Sequence, residues 1–105
     1  MKILEKKYRG SLICRAVSYP IAYAIVKMLL DEGSMNLDDI VGRVKRSKPA
    51  VCQHLAKLKL ANLVRYEKEK QKTKYWIKYP REVRAFFGCC EKIVERTTRR
   101  IKKDY

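Results

Sequence analysis

A mainly helical fold with one β-hairpin, a winged helix-turn-helix, is predicted by three features of this 105-residue chain. Two short amphipathic stripes are joined by a basic turn that carries a helix cap. A charged two-stranded hairpin follows at once. A long heptad-like stripe then runs toward the C-terminus. One domain is expected over 1–105, with a core at about 20–80 and terminal helices at about 2–17 and 80–101 forming a dimer interface.

The central stretch is LDDIVGRVKRSKPAVCQHLAKLKLANL, from Leu37 to Leu63. Leu37, Ile40, Val41 and Val44 recur at helical spacing, as do Val51, Leu55 and Leu58. Ser47 is the expected N-cap, since its hydroxyl can accept from a free first-turn N–H. Pro49 is tolerated there because that N–H has no intrahelical partner to lose. Asp38 and Asp39 suit the positive end of the preceding helix; an acid pair or metal site lacks a third ligand nearby.

At 100° per residue, Val51, Leu55 and Leu58 define the buried arc of a helix over residues 48–59. Pro49, Gln53, Ala56 and Lys57 fall on the far side, with Ala50 and Cys52 at the borders. In a helix-turn-helix this far face enters a DNA major groove. Gln53 is the candidate base reader, because its amide can pair bidentately with adenine. The alternative is a solvated helix residue. Lys45, Arg46, Lys48 and Lys57 are candidate phosphate contacts, which position a protein without specifying sequence, and Ser47 is a further DNA-binding candidate. His54, beside the core arc, is expected to be packed and hydrogen-bonded.

The flanking elements follow the same logic. Ile3, Leu4, Tyr8, Leu12, Ile13 and Val17 form a loose helical stripe broken at Gly10. Ser18-Tyr19-Pro20 predicts the start of a core helix, with Ser18 as cap and with Ile21, Ala24, Ile25, Met28 and Leu29 on one face. Gly33 suits its left-handed end, and Ser34–Asn36 reads as an extended link. Val64–Lys68 and Thr73–Tyr79 alternate as strands. Lys68, Lys70, Lys72 and Lys74 then form a wing able to straddle the DNA backbone. Lysines that block edge-to-edge aggregation are the compatible alternative. Tyr75, Ile77 and Tyr79 share a face and Trp76 takes the other. From Pro80, Val83, Phe87, Cys90, Val94, Thr97 and Ile101 run at alternating four and three spacing, with Phe86, Cys89 and Ile93 alongside. The preceding elements leave little to cover so long a stripe, so a homodimer is expected. The tail from Arg99 is expected to be frayed or solvated.

Composition narrows the partner. Lys and Arg number 26 against 11 Asp and Glu, a formal charge of +15, while 47% of residues are hydrophobic. A folded domain with so one-sided a charge fits an anionic polymer, nucleic acid before membrane. The longest apolar run, near Ile21–Leu30, is too short for a membrane span, and the first residues lack the apolar core of a signal peptide. A cytoplasmic protein is expected. One His, no Gly-rich phosphate loop and no nucleophile motif argue against an enzyme. No cofactor is expected. Cys14, Cys52, Cys89 and Cys90 show no metal-binding spacing.

The segment SKPAVCQHLAKLKLANLVRYEKEKQKTKYWI resembles the ArsR-type repressor core. Ser47 matches that family's cap, Gln53-His54-Leu55 its helix signature, Leu63-Val64 the entry to the wing, and Tyr75 a residue before the wing closes. The resemblance covers about residues 20–80. It implies a homodimeric, sequence-specific regulator of double-stranded DNA, a repressor, with its effector unspecified. Pro49 and Cys52 stand where the family often has hydroxyl residues, so base contacts there do not carry over. The third helix lacks the family's Cys pair and the last helix lacks His. Thiol sensing in some members makes Cys14, Cys89 and Cys90 candidates for a thiophilic ion or a redox disulfide. The favoured alternative is that Cys90, together with Cys89, is a small buried apolar residue of the last-helix stripe. A sequence-neutral architectural DNA-binding protein, or a winged helix used for protein contacts, are the competing functions.

Overall fold

The computed structural model describes residues 8–104, with side chains described through Thr98. Elements run α1 (Gly10–Ala16), α2 (Pro20–Glu32), β1 (Ser34–Asn36), α3 (Leu37–Val44), α4 (Lys48–Leu60), β2 (Val64–Glu69), β3 (Lys72–Ile77) and α5 (Pro80–Asp104). Ile3 and Leu4 of the predicted first helix lie outside the described residues. The sheet has three antiparallel strands in the order β1-β3-β2. Ser34–Asn36, expected as a link, is therefore a strand, pairing Met35 with Tyr75 and Asn36 with Lys74. Three residues carry too short an alternation to be read as a strand until a partner edge is present.

The core is where the helix stripes converge. Ile25, Val26, Leu29, Ile40, Val51, Leu55 and Leu58 are fully buried, and Leu63, Val64, Ile77, Val83 and Phe87 close around them. The buried face of α2 is Ala22, Ile25, Val26 and Leu29, whereas Ala24 is exposed, contrary to the predicted face. An alanine contributes little to a hydrophobic stripe, so the pattern alone placed the face one residue out of phase.

Local chemistry sets the helix ends. Asn36 accepts from the Asp39 N–H at 2.9 Å and caps α3. Ser47 Oγ accepts from the Ala50 N–H at 3.3 Å, as predicted for α4. Ser18 does not cap α2: its hydroxyl donates to the Arg15 carbonyl at 2.8 Å, and Tyr19 takes the N-cap position without a side-chain bond. The hydroxyl is used to close α1, leaving none for the next helix. Gly33 ends α2 at φ 86°, a conformation that costs glycine little. Lys45 adopts the left-handed conformation, φ 58° and ψ 43°, at the end of α3.

The first part of α5 docks on α2. Phe87 stacks on Tyr23 with centroids 4.1 Å apart and planes 9° apart. Arg84 Nη2 donates to the Leu30 carbonyl at 2.8 Å, and Lys27 pairs with Glu91. Beyond Glu91 the helix leaves the body, and Ile93 and Val94 are 65% and 63% exposed. The radius of gyration is 15.8 Å, above the roughly 13 Å of a compact chain this long. The helix continues through Asp104, where a frayed or solvated tail was expected; the backbone is helical there instead of frayed. Among the described residues no single helix is long and apolar enough to cross a membrane.

Candidate nucleic-acid interface

The outer face of α4 is open along its length. Val51, Leu55 and Leu58 are buried, Ala50 and Cys52 half-buried, and Pro49, Gln53, Ala56 and Lys57 exposed. The angular reading of this helix therefore holds, and the open face is the one that carries Gln53. Its first turn is fixed by the Ser47 cap, so the turn before it has a defined geometry. Lys45 and Arg46 are exposed there, and Arg46 Nη1 donates to the Lys45 carbonyl at 3.2 Å. Lys48 Nζ lies 3.7 Å from Asp38 across exposed surface. Such a pair is worth little in water and can yield to a phosphate.

The two flanks of α4 differ. On one, Lys57 Nζ lies 4.7 Å from the centroid of the Tyr19 ring. His54 shares this flank, its ring 5.6 Å from that of Tyr19. His54 is half-buried as predicted, but its Nδ1 is buried with no hydrogen-bond partner, correcting the expectation of a satisfied ring. The Tyr19 ring can pack on the imidazole but has no acceptor in its face to match. On the other flank, Lys59 Nζ sits 3.7 Å from the centroid of Tyr66 in the wing. Lys59 was not among the predicted contacts. The same angular count puts it about 80° from Val51, beside Cys52, on the border facing the wing.

The wing closes through Lys70-Gln71, with Lys70 at φ 51° supplying the positive φ that a two-residue hairpin turn demands. Its four lysines do not act as one surface. In the register, Glu67 faces Lys74 and Glu69 faces Lys72, so these two lysines have acidic neighbours across the strands. Lys68 faces Thr73 on the opposite side, in line with Tyr66 and Tyr75. All four are exposed. Tyr75, half-buried between these elements, has its hydroxyl pKa raised by burial first and then by the neighbouring Cys52 and Tyr66 groups. Cys52, left without a role by the sequence, thus borders the wing.

Cys14 and Cys89 are exposed, Cys52 and Cys90 half-buried, and all four are free thiols. Among the described residues no group of three or more His, Cys, Asp or Glu could hold a metal ion. Cys14, Cys89 and Cys90 are therefore not gathered into the three-thiol site considered from the sequence.

A capped helix with an open polar face, set between a helical corner and a hairpin wing, defines a winged-helix DNA-binding regulator. Residues 20–66 match the family described as bacterial regulatory protein, arsR family. An HTH-type transcriptional regulator of Methanocaldococcus jannaschii is 32% identical over 74 residues, covering 70% of this chain and 83% of that one. Among solved structures, NolR from Sinorhizobium fredii aligns with a TM-score of 0.74 at 26% identity, over 89% of this chain and 96% of its own. HlyU from Vibrio cholerae aligns with a TM-score of 0.73 at 25% identity, over 87% and 97%. The chain belongs to the arsR family of DNA-binding transcriptional regulators. It is not an enzyme.

Proposed function

We propose that this protein is a homodimeric, sequence-specific repressor that binds double-stranded DNA in the cytoplasm. The reading rests on the open face of α4, where Gln53 projects from a helix whose opposite face is wholly buried. That face enters the major groove and the Lys70 end of the wing lies beside it. Lys45, Arg46, Ser47 and Lys48 hold phosphates at the start of the helix, and Lys57 and Lys59 do so on its flanks. Lys68 and Lys70 contribute more than Lys72 and Lys74, whose field is offset by Glu69 and Glu67. Residues 20–80 form the DNA-binding part, while α1 and α5 form the dimer interface. Two α4 helices related by a two-fold axis then reach successive major grooves. Occupancy of a promoter is enough to repress it.

Selection of bound sequences from random duplex DNA tests this reading. A discrete, two-fold-related motif is expected, and uniform coverage would replace the repressor with a sequence-neutral architectural protein. Gln53→Ala should relax base choice at one position per half-site by about 1–3 kcal/mol. Lys48→Ala should weaken all sequences alike. Affinity should fall about a thousandfold or more between roughly 50 and 200 mM salt if about six phosphates are contacted, because bound counterions are released. A flat salt response would remove the electrostatic part of the assignment.

A further inference from the structure

A groove between α1 and the C-terminal end of α4 combines exposed apolar side chains with two cations. Leu12, Ala16, Tyr19 and Leu60 line it together with Arg15 and Lys57, around a volume of about 300 Å³. Leu60 is 84% exposed, Leu12 51% and Tyr19 45%. Exposed apolar residues scattered singly need no explanation, but several converging on one concavity mark a binding surface. Among the described residues no carboxylate lines the groove. Among the described residues neither Arg15 nor Lys57 has an ion-pair partner. This groove is separate from the one on the other side of α1, where Ile13 and Cys14 face Val83 and Phe86. That second groove belongs to the dimer interface proposed above.

We propose that the α1–α4 groove binds a small amphipathic anion, a carboxylate carried on an apolar chain or ring. Its carboxylate lies between Arg15 and Lys57, and its apolar part covers Leu12, Ala16 and Leu60. Charge selects this occupant. A neutral apolar molecule would leave two unpaired cations at its edge, and a cation would be repelled. A second copy would bring its own net charge of +15 to a surface that offers it no carboxylate. A DNA phosphate could use both cations but would leave the apolar wall uncovered. The volume sits at the lower end of small-molecule sites, which are mostly apolar with a few placed polar groups.

The site is wired to DNA binding through Lys57, which stands on α4. An anion that engages Lys57 removes a phosphate contact, so ligand and DNA weaken one another reciprocally. This coupling rests on the DNA-binding face proposed above, whereas binding of the anion does not.

Calorimetric titration of the full chain with decanoate, with decanol as the neutral control, tests the site. Saturable binding of one decanoate per chain is expected. Arg15→Gln combined with Lys57→Gln should weaken it by at least about tenfold. Decanol binding as tightly as decanoate, or undiminished decanoate binding to the double variant, would overturn the assignment. The coupling is read separately, from the affinity of the wild-type protein for its selected duplex with and without decanoate. A fall is expected, and an unchanged affinity overturns the coupling. Leu60→Ser, at a position already exposed, should keep DNA binding and lose the response to decanoate. Duplex binding without decanoate reports on the repressor reading by itself, so the two ideas fail in different measurements. A decanoate effect that arises because the dimer dissociates, seen by sedimentation, would also overturn the proposal.

Discussion

The two halves of α5 carry the same stripe and have opposite fates. In the first half Val83 and Phe87 are 6% and 3% exposed, and Phe87 stacks on Tyr23. In the second half Ile93 and Val94 are more than 60% exposed, and Thr97 lies open as well. Helical periodicity says that one face wants cover. It does not say whether the same chain supplies it. The first half meets α2, while the second half runs past the end of that surface. In the homodimer proposed above, it is the part of the helix that a second copy would cover.

Substitutions in the two halves should separate folding from assembly. Phe87→Ala should cost about 3–5 kcal/mol of stability, measured by urea unfolding, through lost burial and an incompletely filled cavity. A loss under about 1 kcal/mol would mean that α5 is not anchored by this ring. Replacing both Ile93 and Val94 by Glu should leave the helical circular dichroism intact yet convert the dimer to monomer by sedimentation. DNA affinity should then drop about a hundredfold, since two linked binding modules reinforce one another. A variant that remains dimeric would show that the second half of α5 is not the interface.

Between the halves, Gly88 sits with nothing within 4 Å of the position a Cβ would take. Gly88→Ala should stabilise the helix by about 0.5–1 kcal/mol. A weaker dimer alongside that gain would reveal a partner backbone packed against Gly88. The smallest effect lies at the seam itself. The Lys27 pKa is raised by its hydrogen bond to Glu91 and then by that carboxylate's charge. The Tyr23 pKa is raised by burial first and then by Glu91 and Cys90. Both groups hold their proton more tightly folded than unfolded, so their contribution is complete below their ordinary values of 10.5 and 10.0 and is lost as pH rises beyond them. Thermal unfolding followed from about pH 9 to 11 should show this loss, and Glu91→Gln should blunt it.

Much of the site was legible because its determinants are local. The Ser47 cap, the buried arc of α4 and the exposed position of Gln53 all follow from spacings within one helix. The hairpin was legible as strands, but the sharing of its charges was not. Lys72 and Lys74 look equivalent to Lys68 until the register sets Glu69 and Glu67 opposite them. The Tyr19–His54–Lys57 contact joins residues about 35 positions apart in the sequence, and Lys59 gained its place only once Tyr66 stood beside it. Ser18 misled because a hydroxyl that can cap one helix can also close the turn before it.

By itself the sequence determined the helices, the Ser47 cap, the basic outer face and the existence of a wing. Each of these depends on interactions within a few residues, where spacing and side-chain type are enough. The tertiary structure alone decided that Ser34–Asn36 is a strand and that Leu12, Tyr19 and Leu60 share a groove with two cations that have no ion-pair partner among the described residues. It also decided that the stripe on α5 loses its cover after Glu91. Those outcomes depend on which distant surfaces meet and where they end, and a one-dimensional pattern carries no record of that.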